Sequence, residues 1–305
     1  MKGKNLLSIS DLSPGDARRI LDSAIGMKQR PRKRALAGRT LALLFEKPSL
    51  RTRVSFDVAM NQLGGHTIYL SQAEVGLGTR EPIADVARTL SRYVDVIAAR
   101  TFAHATLESL ARHASVPVVN ALSDREHPCQ ALADLLTVYE KKGKFEDLTL
   151  AYIGDGNNVA NSLLLACALL GTNFRIASPE GYEVPEDIVR LGRRFAQRSG
   201  AEIALFKKPR EAAKGADVVY TDVWTSMGQE AEAEKRRKAF AGYKVDARLI
   251  SLAAKDAIFM HPLPAHHGEE VARGVIDSPQ SVVFDQAENR LHVQKAILAQ
   301  LLRKP

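Results

Sequence analysis

Cysteine is nearly missing from this chain, with only Cys129 and Cys167 among 305 residues. Two thiols cannot build a disulfide framework, so a reducing compartment, the cytoplasm, is expected. Aromatic residues are also sparse, at 6% with a single tryptophan. The basic runs Lys28-Gln29-Arg30-Pro31-Arg32-Lys33-Arg34 and Lys235-Arg236-Arg237-Lys238 have no aromatics interleaved. They read as solvated faces, and no nucleic-acid partner is expected. No apolar run reaches the ~18 residues of a membrane span, so no membrane association is expected. The start, Met1-Lys2-Gly3-Lys4-Asn5, lacks the apolar core of a signal peptide, and no leader is expected. An excess of acid is missing too. The net charge is +8, and such a positive field draws in small phosphorylated molecules without any further partner.

What the chain does contain is alternation. Its length suits two domains and an ample core. A first helix is expected over residues 9–27, with Ser10 or Ser13 as its cap. The apolar run 40–45 reads as a buried strand and 53–63 as a helix. Gly64-Gly65 end that helix, and strand character resumes at 66–70. Residues 74–82 form a Gly-rich polar loop. Helix 83–93, strand 94–100, helix 105–113, strand 117–120 and a helix from His127 to Lys141 follow. Lys141-Lys142-Gly143-Lys144 is a candidate boundary. Beyond it strands are expected at 148–153, 173–177, 202–205, 217–221, 258–260 and 281–284. Helices are expected at 158–170, 185–198 and 209–214, with a long polar segment at 225–241. An amphipathic helix, 289–302, closes the chain. This is an α/β chain of two domains, each a parallel sheet with helices on both faces. In such sheets ligands bind beyond the carboxyl ends of strands.

Chemistry-bearing residues fall at those ends. Pro48-Ser49-Leu50-Arg51-Thr52-Arg53 joins a strand to a helix. Serine is a preferred N-cap, and the N–H groups and dipole of a helix start favour an anion. Arg51 and Arg53 can add charge-assisted bonds to phosphate oxygens. A solvated helix start with surface arginines is the alternative from this stretch alone. Arg100 closes its strand, and His127-Pro128-Cys129-Gln130 opens a helix. Histidine at a helix start tends to stay neutral and can donate to a carbonyl, although a capping role would also account for it. Gly154-Asp155-Gly156-Asn157-Asn158 follows a strand, but Val159 stands where a dinucleotide turn needs its third glycine. The asparagines instead offer amides to a polar ligand. Asp222 can hold an ammonium group, and Ser226 with the backbone beyond it a carboxylate. An ordinary strand-to-loop passage is the alternative. The run His261 to Glu270 has three histidines and two glutamates, but its spacing fits no standard zinc motif. Arg290 is a further anion ligand candidate.

In order and spacing these segments resemble the aspartate/ornithine carbamoyltransferase family, its ornithine branch most closely, from about residue 5 to the end. Ser49-Leu50-Arg51-Thr52-Arg53 is similar to the family's S-x-R-T-R motif, and His127-Pro128-Cys129-Gln130 to H-P-x-Q. Asp222 with Ser226-Met227-Gly228 matches the D-x-x-x-S-M-G of the ornithine branch. His261-Pro262-Leu263-Pro264 sits where that branch has H-C-L-P. The resemblance implies a carbamoyl-phosphate domain, 1–140 with the returning C-terminal helix 288–305, and an ornithine domain, 145–287. It implies carbamoyl-phosphate ligands at Ser49, Leu50, Arg51, Thr52, Gly76, Arg100, His127, Gln130, Pro262, Leu263 and Arg290. Ornithine ligands are implied at Asn158, Asp222, Ser226 and Met227. Arg51, Thr52, Arg100, His127 and position 262 are the catalytic set. It further implies a cis Leu263-Pro264 bond, no metal or organic cofactor, and a homotrimer with shared active sites, loop 74–82 reaching a neighbour.

Three positions depart from the pattern. Pro262 replaces the ornithine branch's cysteine, as in the aspartate branch. Gly76 stands where the family occasionally has glutamine, and His267 where arginine is common. The expected reaction transfers a carbamoyl group from carbamoyl phosphate to the δ-amine of L-ornithine, giving L-citrulline and phosphate. Transfer to another amine (aspartate, putrescine, N-acylornithine) and a non-catalytic phosphate or amino-acid sensor are the alternatives.

Overall fold

The fold is given by a computed structural model that describes residues 1, 3–30, 34–226 and 228–302. The centre of the first basic run, Pro31 to Lys33, and Met227 therefore lie outside the described residues. The chain divides into two compact units, Met1–Ala133 with Glu288–Pro305, and Asp134–Ala287.

The first unit opens with α1 (Pro14–Gln29) and β1 (Thr40–Phe45), followed by α2 (Leu50–Gln62), β2 (His66–Ser71) and α3 (Gln72–Val75). It continues through α4 (Ile83–Leu90), β3 (Val96–Arg100), α5 (His104–His113) and β4 (Val118–Leu122). Helix α6 (Pro128–Lys142) carries the chain into the second unit. There follow β5 (Thr149–Ile153), α7 (Asn158–Leu170), β6 (Asn173–Ala177), α8 (Glu186–Ser199), β7 (Ile203–Phe206), α9 (Pro209–Ala213) and β8 (Val218–Thr221). Helices α10 (Ala233–Ala239) and α11 (Ala247–Ile250), strand β9 (Ile258–Met260) and the long α12 (Val283–Leu301) complete the chain. Residues from Glu288 onward belong to the first unit again, so the last helix returns there.

Both sheets are parallel throughout, in the orders β2-β1-β3-β4 and β7-β6-β5-β8-β9. Their central strands are apolar on both faces because helices cover both. In β1 every residue from Leu41 to Phe45 is buried, and in β5 all five are. Ala42, Leu44, Ile97 and Ala99 pack with Leu107 and Leu110 of α5 in the first unit. Ile153, Val219 and Phe259 pack with Trp224 and Phe240 in the second.

Strand order reverses between β1 and β3 in one sheet and between β5 and β8 in the other. Where adjacent strands send their connections to opposite faces, a crevice opens beyond their carboxyl ends. The sequence places Ser49–Thr52 and Arg100 after the first pair of strands, and Asn157-Asn158 and Asp222 after the second.

Several element expectations need correction. Residues 9–27 are not one helix. A 3-10 turn, Ile9–Asp11, ends at Leu12, and α1 starts afresh because Ser13 caps it in a reciprocal pair with Asp16, with Pro14 in its first turn. Residues 281–284 are not a strand. Ser281 makes a single bridge to Phe259, and Val283 already begins α12. A short apolar run cannot by itself distinguish strand from helix. The Gly-rich loop is entered by the single turn α3, which ends at Gly76 in the left-handed conformation, φ 60°.

Candidate functional site

In the first unit the groups converge on the end of β1 and β3. Ser49 caps α2, its hydroxyl accepting the Thr52 N–H at 3.3 Å. Thr52 is fully buried, and its Oγ1 accepts from Arg290 Nη2 at 2.7 Å. Arg100 is buried, with its Nε lacking a hydrogen-bond partner among the described residues. Burial holds its pKa down to about 10, and the charges of Arg290 and Arg51 push it the same way. Three guanidinium groups thus share one neighbourhood with no carboxylate among the causes, which is the electrostatic signature of an anion site.

His127 lies beside them just ahead of α6, and Gln130 one turn along it; both are buried. Burial keeps His127 far below the usual imidazole range, reinforced by Arg290, Arg100 and Lys47. A neutral imidazole in that field donates a hydrogen bond without carrying charge. Arg53, by contrast, is turned onto the Tyr69 ring, 3.8 Å from its centroid. Gly76 sits in the turn that ends α3, where a Cβ would come within 2.7 Å of Arg80 Cβ.

The second unit gathers a different set beyond β5 and β8. The buried Asp222 carboxylate accepts Asn157 Nδ2 at 2.9 Å and the Val223 N–H at 2.8 Å. Asn157 also caps α7, accepting from the N–H groups of Val159 and Ala160. Burial raises the Asp222 pKa, while His261, Asn157 and Val223 pull it back. Asn158 is the first residue of α7, and Ser226 lies in the segment after β8, its N–H bound by Gln229 Oε1.

After β9, the His261 N–H donates to Gln286 Oε1 at 2.9 Å, and the Leu263 N–H to His261 Nδ1 at 2.9 Å. That leaves Nε2 as the ring's donor, 3.2 Å from Glu270 Oε1. Pro262 is buried, Leu263 has φ 58°, and the Leu263-Pro264 bond is cis. His266, Glu269 and Glu270 bring ligand atoms within 4.8 Å of one another. Glu269 is already paired with Arg237 at 3.0 Å and Glu270 with His261.

Residues 4–140 match the carbamoyl-phosphate-binding domain of aspartate/ornithine carbamoyltransferases, and 146–301 their aspartate/ornithine-binding domain. The chain belongs to the aspartate/ornithine carbamoyltransferase family.

Relatives cover the chain end to end. The ornithine carbamoyltransferase of Anoxybacillus flavithermus is 53% identical, over 99% of this chain and 98% of its own. That of Pyrococcus abyssi is also 53% identical, over 99% and 96%. Among solved structures, ornithine carbamoyltransferase from Pyrococcus furiosus superimposes with a TM-score of 0.95 at 52% identity, covering 99% of this chain and 97% of that one. The Thermus thermophilus enzyme gives 0.89 at 50%, covering 99% of each.

Within this carbamoyltransferase framework, several residues escaped the sequence reading. Lys47 has its pKa lowered, first by burial and then by Arg100, so it stands in the field of the anion site. Asn157 holds the Asp222 carboxylate, a contact between two residues of the unit that the sequence reading did not draw. Asp155 is buried against Arg236 Nη1 at 2.8 Å, and the same nitrogen donates to the Trp224 carbonyl at 2.9 Å. A pair 81 residues apart leaves no local pattern. The sequence reading put Arg236 on a solvated face with its basic neighbours, whereas it is buried.

Proposed function

We infer that this chain transfers the carbamoyl group of carbamoyl phosphate to the δ-amine of L-ornithine, releasing L-citrulline and phosphate. One observation carries the choice of ornithine over aspartate: the buried Asp222 carboxylate beyond β8. An anion there attracts an ammonium-bearing amino acid and disfavours a second carboxylate such as the side chain of aspartate. The assigned ornithine ligands are Asn158, Asp222, Ser226 and Met227, on a domain of residues 145–287. The carbamoyl-phosphate domain is 1–140 with 288–305.

The chemistry follows from charge. Arg51, Arg290 and the start of α2, capped by Ser49 and including the Leu50 N–H, neutralise the phosphate dianion and make it a better leaving group. Thr52, Arg100 and the neutral His127 donate to the carbonyl oxygen as it becomes an oxyanion, and Gln130, Pro262 and Leu263 are the other carbamoyl-phosphate ligands of this assignment. Removing one such donor costs ~10²–10³ in rate. The δ-amine nitrogen attacks the carbonyl carbon, the bond from that carbon to the phosphate oxygen breaks, and the amine proton leaves with phosphate. No resident metal or organic cofactor enters these steps.

A homotrimer with shared sites, with Gly76 and its loop reaching a neighbouring copy, is part of this reading. Leu50 and Val54 of α2 and Ile68 of the edge strand β2 are exposed apolar side chains that such an assembly would cover. Among the described residues no helix is long and apolar enough to cross a membrane. Cys129 and Cys167 are buried and unpaired, which fits the cytoplasm.

Pro262 favours a second reading, transfer to a different amine, because the family's thiol beside the nucleophile is gone. Purified protein given carbamoyl phosphate and L-ornithine tests the assignment. One phosphate should appear per citrulline. Binding of carbamoyl phosphate without product would make the chain a sensor instead.

A further inference from the structure

The start of the chain is built into the turn that delivers His127. Leu6 pairs in parallel with Val119 on the outer side of β4, its N–H donating to the Val118 carbonyl at 2.9 Å and its carbonyl accepting from Asn120 N–H at 2.8 Å. Two residues later Ser8 caps the 3-10 turn Ile9–Asp11. The carboxylate of Glu126, 1% exposed, accepts from the Ser8 hydroxyl and, at 3.0 Å, from the Ile9 N–H. Glu126 immediately precedes His127. Its own carbonyl is held from the other side, accepting from Ser123 N–H at 3.0 Å, with Asn120 Nδ2 at 3.3 Å. Asn120 Nδ2 also donates to the Leu7 carbonyl at 2.8 Å. Residue 126 is therefore fixed through both side chain and backbone, in part by residues more than a hundred positions away.

A carboxylate can only accept, and burying one is costly unless donors meet it. Here Ser8 and Ile9 are two of those donors, so the position of Glu126 follows that of the N-terminal segment. We propose that Glu126, held by Ser8 and Ile9, is a positioning residue for His127, which makes residues 5–11 part of the catalytic apparatus. In this role Glu126 acts through His127 and not on a reacting atom. It sets where the imidazole stands when the carbonyl oxygen gains charge, a placement to which rate is steeply sensitive. The proposal rests on the carbamoyl-transfer reading, in which His127 is an oxyanion donor.

The test compares Glu126→Ala, Glu126→Gln and Ser8→Ala with the wild-type chain. The readouts are kcat, the KM for ornithine, the Kd of inorganic phosphate and thermal unfolding. Phosphate probes the Ser49–Thr52 and Arg290 end without needing the carbonyl donor. Glu126→Ala should lower kcat by ~10–100-fold, leaving the ornithine KM and the phosphate Kd near wild type. Glu126→Gln should recover most of kcat, since its amide oxygen can accept from Ile9 and its NH₂ can donate to the Ser8 oxygen. If the alanine variant does not fold, Ser8→Ala takes its place, with a smaller loss confined to kcat. Unchanged kcat overturns the proposal. So does an equal loss in Glu126→Gln, or a parallel loss of phosphate binding, which would mark a merely structural role. A wild-type protein that makes no citrulline would instead remove the underlying reading.

Discussion

Arg290 reaches back 238 residues to donate its Nη2 hydrogen to Thr52 Oγ1 at 2.7 Å. One residue comes from the last helix and the other from the first turn of α2. The bond ties the returning helix to the strand-end cluster and orients the Thr52 hydroxyl. With one of its two lone pairs accepting from Arg290, that hydroxyl still has its own hydrogen to donate to a ligand oxygen.

Loss of this guanidinium should be felt at the phosphate end. Arg290→Ala is expected to weaken carbamoyl-phosphate binding by ~10–100-fold, the range for a charge-assisted hydrogen bond. Arg290→Lys should recover part, keeping the charge but not the planar fork. Calorimetric titration reads both. An alanine variant that binds as tightly as wild type would contradict the placement of Arg290 at the anion.

The two crevices have opposite charge, so their substitutions should separate. Arg51→Ala is expected to abolish carbamoyl-phosphate binding, while Asp222→Ala mainly raises the KM for ornithine. Steady-state kinetics with each substrate varied in turn decides this. Both substitutions acting on the same substrate alone would show the two-subsite assignment to be wrong.

Acidification should act on the segment after β8. Burial holds the Asp155 carboxyl up at about 6 despite the pull of Arg236. The folded chain thus takes up a proton there that the unfolded chain, with its value near 3.8, takes up only in stronger acid. This group's contribution to stability therefore grows as pH falls through 6 towards 4 and is lost as pH rises. Function should run the other way. Below about 6 the Asp155 carboxyl is protonated and the ion pair with Arg236 is lost; Arg236 then holds the Trp224 carbonyl less firmly, and the ornithine KM rises. Asp155→Asn should remove that inflection from the pH profile of kcat/KM for ornithine. An inflection that survives the substitution belongs to another group.

The strand ends were legible in the sequence because their signals are local. Pro48-Ser49 announces a helix cap, and the apolar runs before Ser49, Gly154 and Asp222 announce buried strands. Corrections arose where a short apolar run is ambiguous, as at Ser281–Phe284, and where a second serine and a proline restart a helix, as at Ser13-Pro14. Glu126 with Ser8, Asp155 with Arg236 and Arg290 with Thr52 were illegible as pairs. Their members are far apart in the chain, so no local pattern links them. Arg290 and Asp222 could be named as single candidates from their places next to elements. Lys47 could not be assigned, because its field depends on Arg100 arriving from the neighbouring strand.

Pro262 is where this chain departs from the ornithine branch. Proline fixes φ and offers neither thiol nor N–H. Pro262→Cys is expected to raise kcat with ornithine and leave carbamoyl-phosphate affinity unchanged, since the backbone carbonyl of residue 262 is kept and the phosphate end is assigned to other side chains. Parallel kcat and binding measurements test this. A cysteine variant that is unchanged or slower would mean a different arrangement at the nucleophile.

Product formation across a panel of amines tests the central claim most directly. Purified protein is given carbon-13-labelled carbamoyl phosphate with L-ornithine, aspartate, putrescine, lysine or N-acylornithine, and the carbamoylated product is followed by NMR. The account predicts labelled citrulline from L-ornithine with the highest kcat/KM of the set and none of the aspartate product. Equal or faster turnover of another amine, or binding without any labelled product, would contradict it.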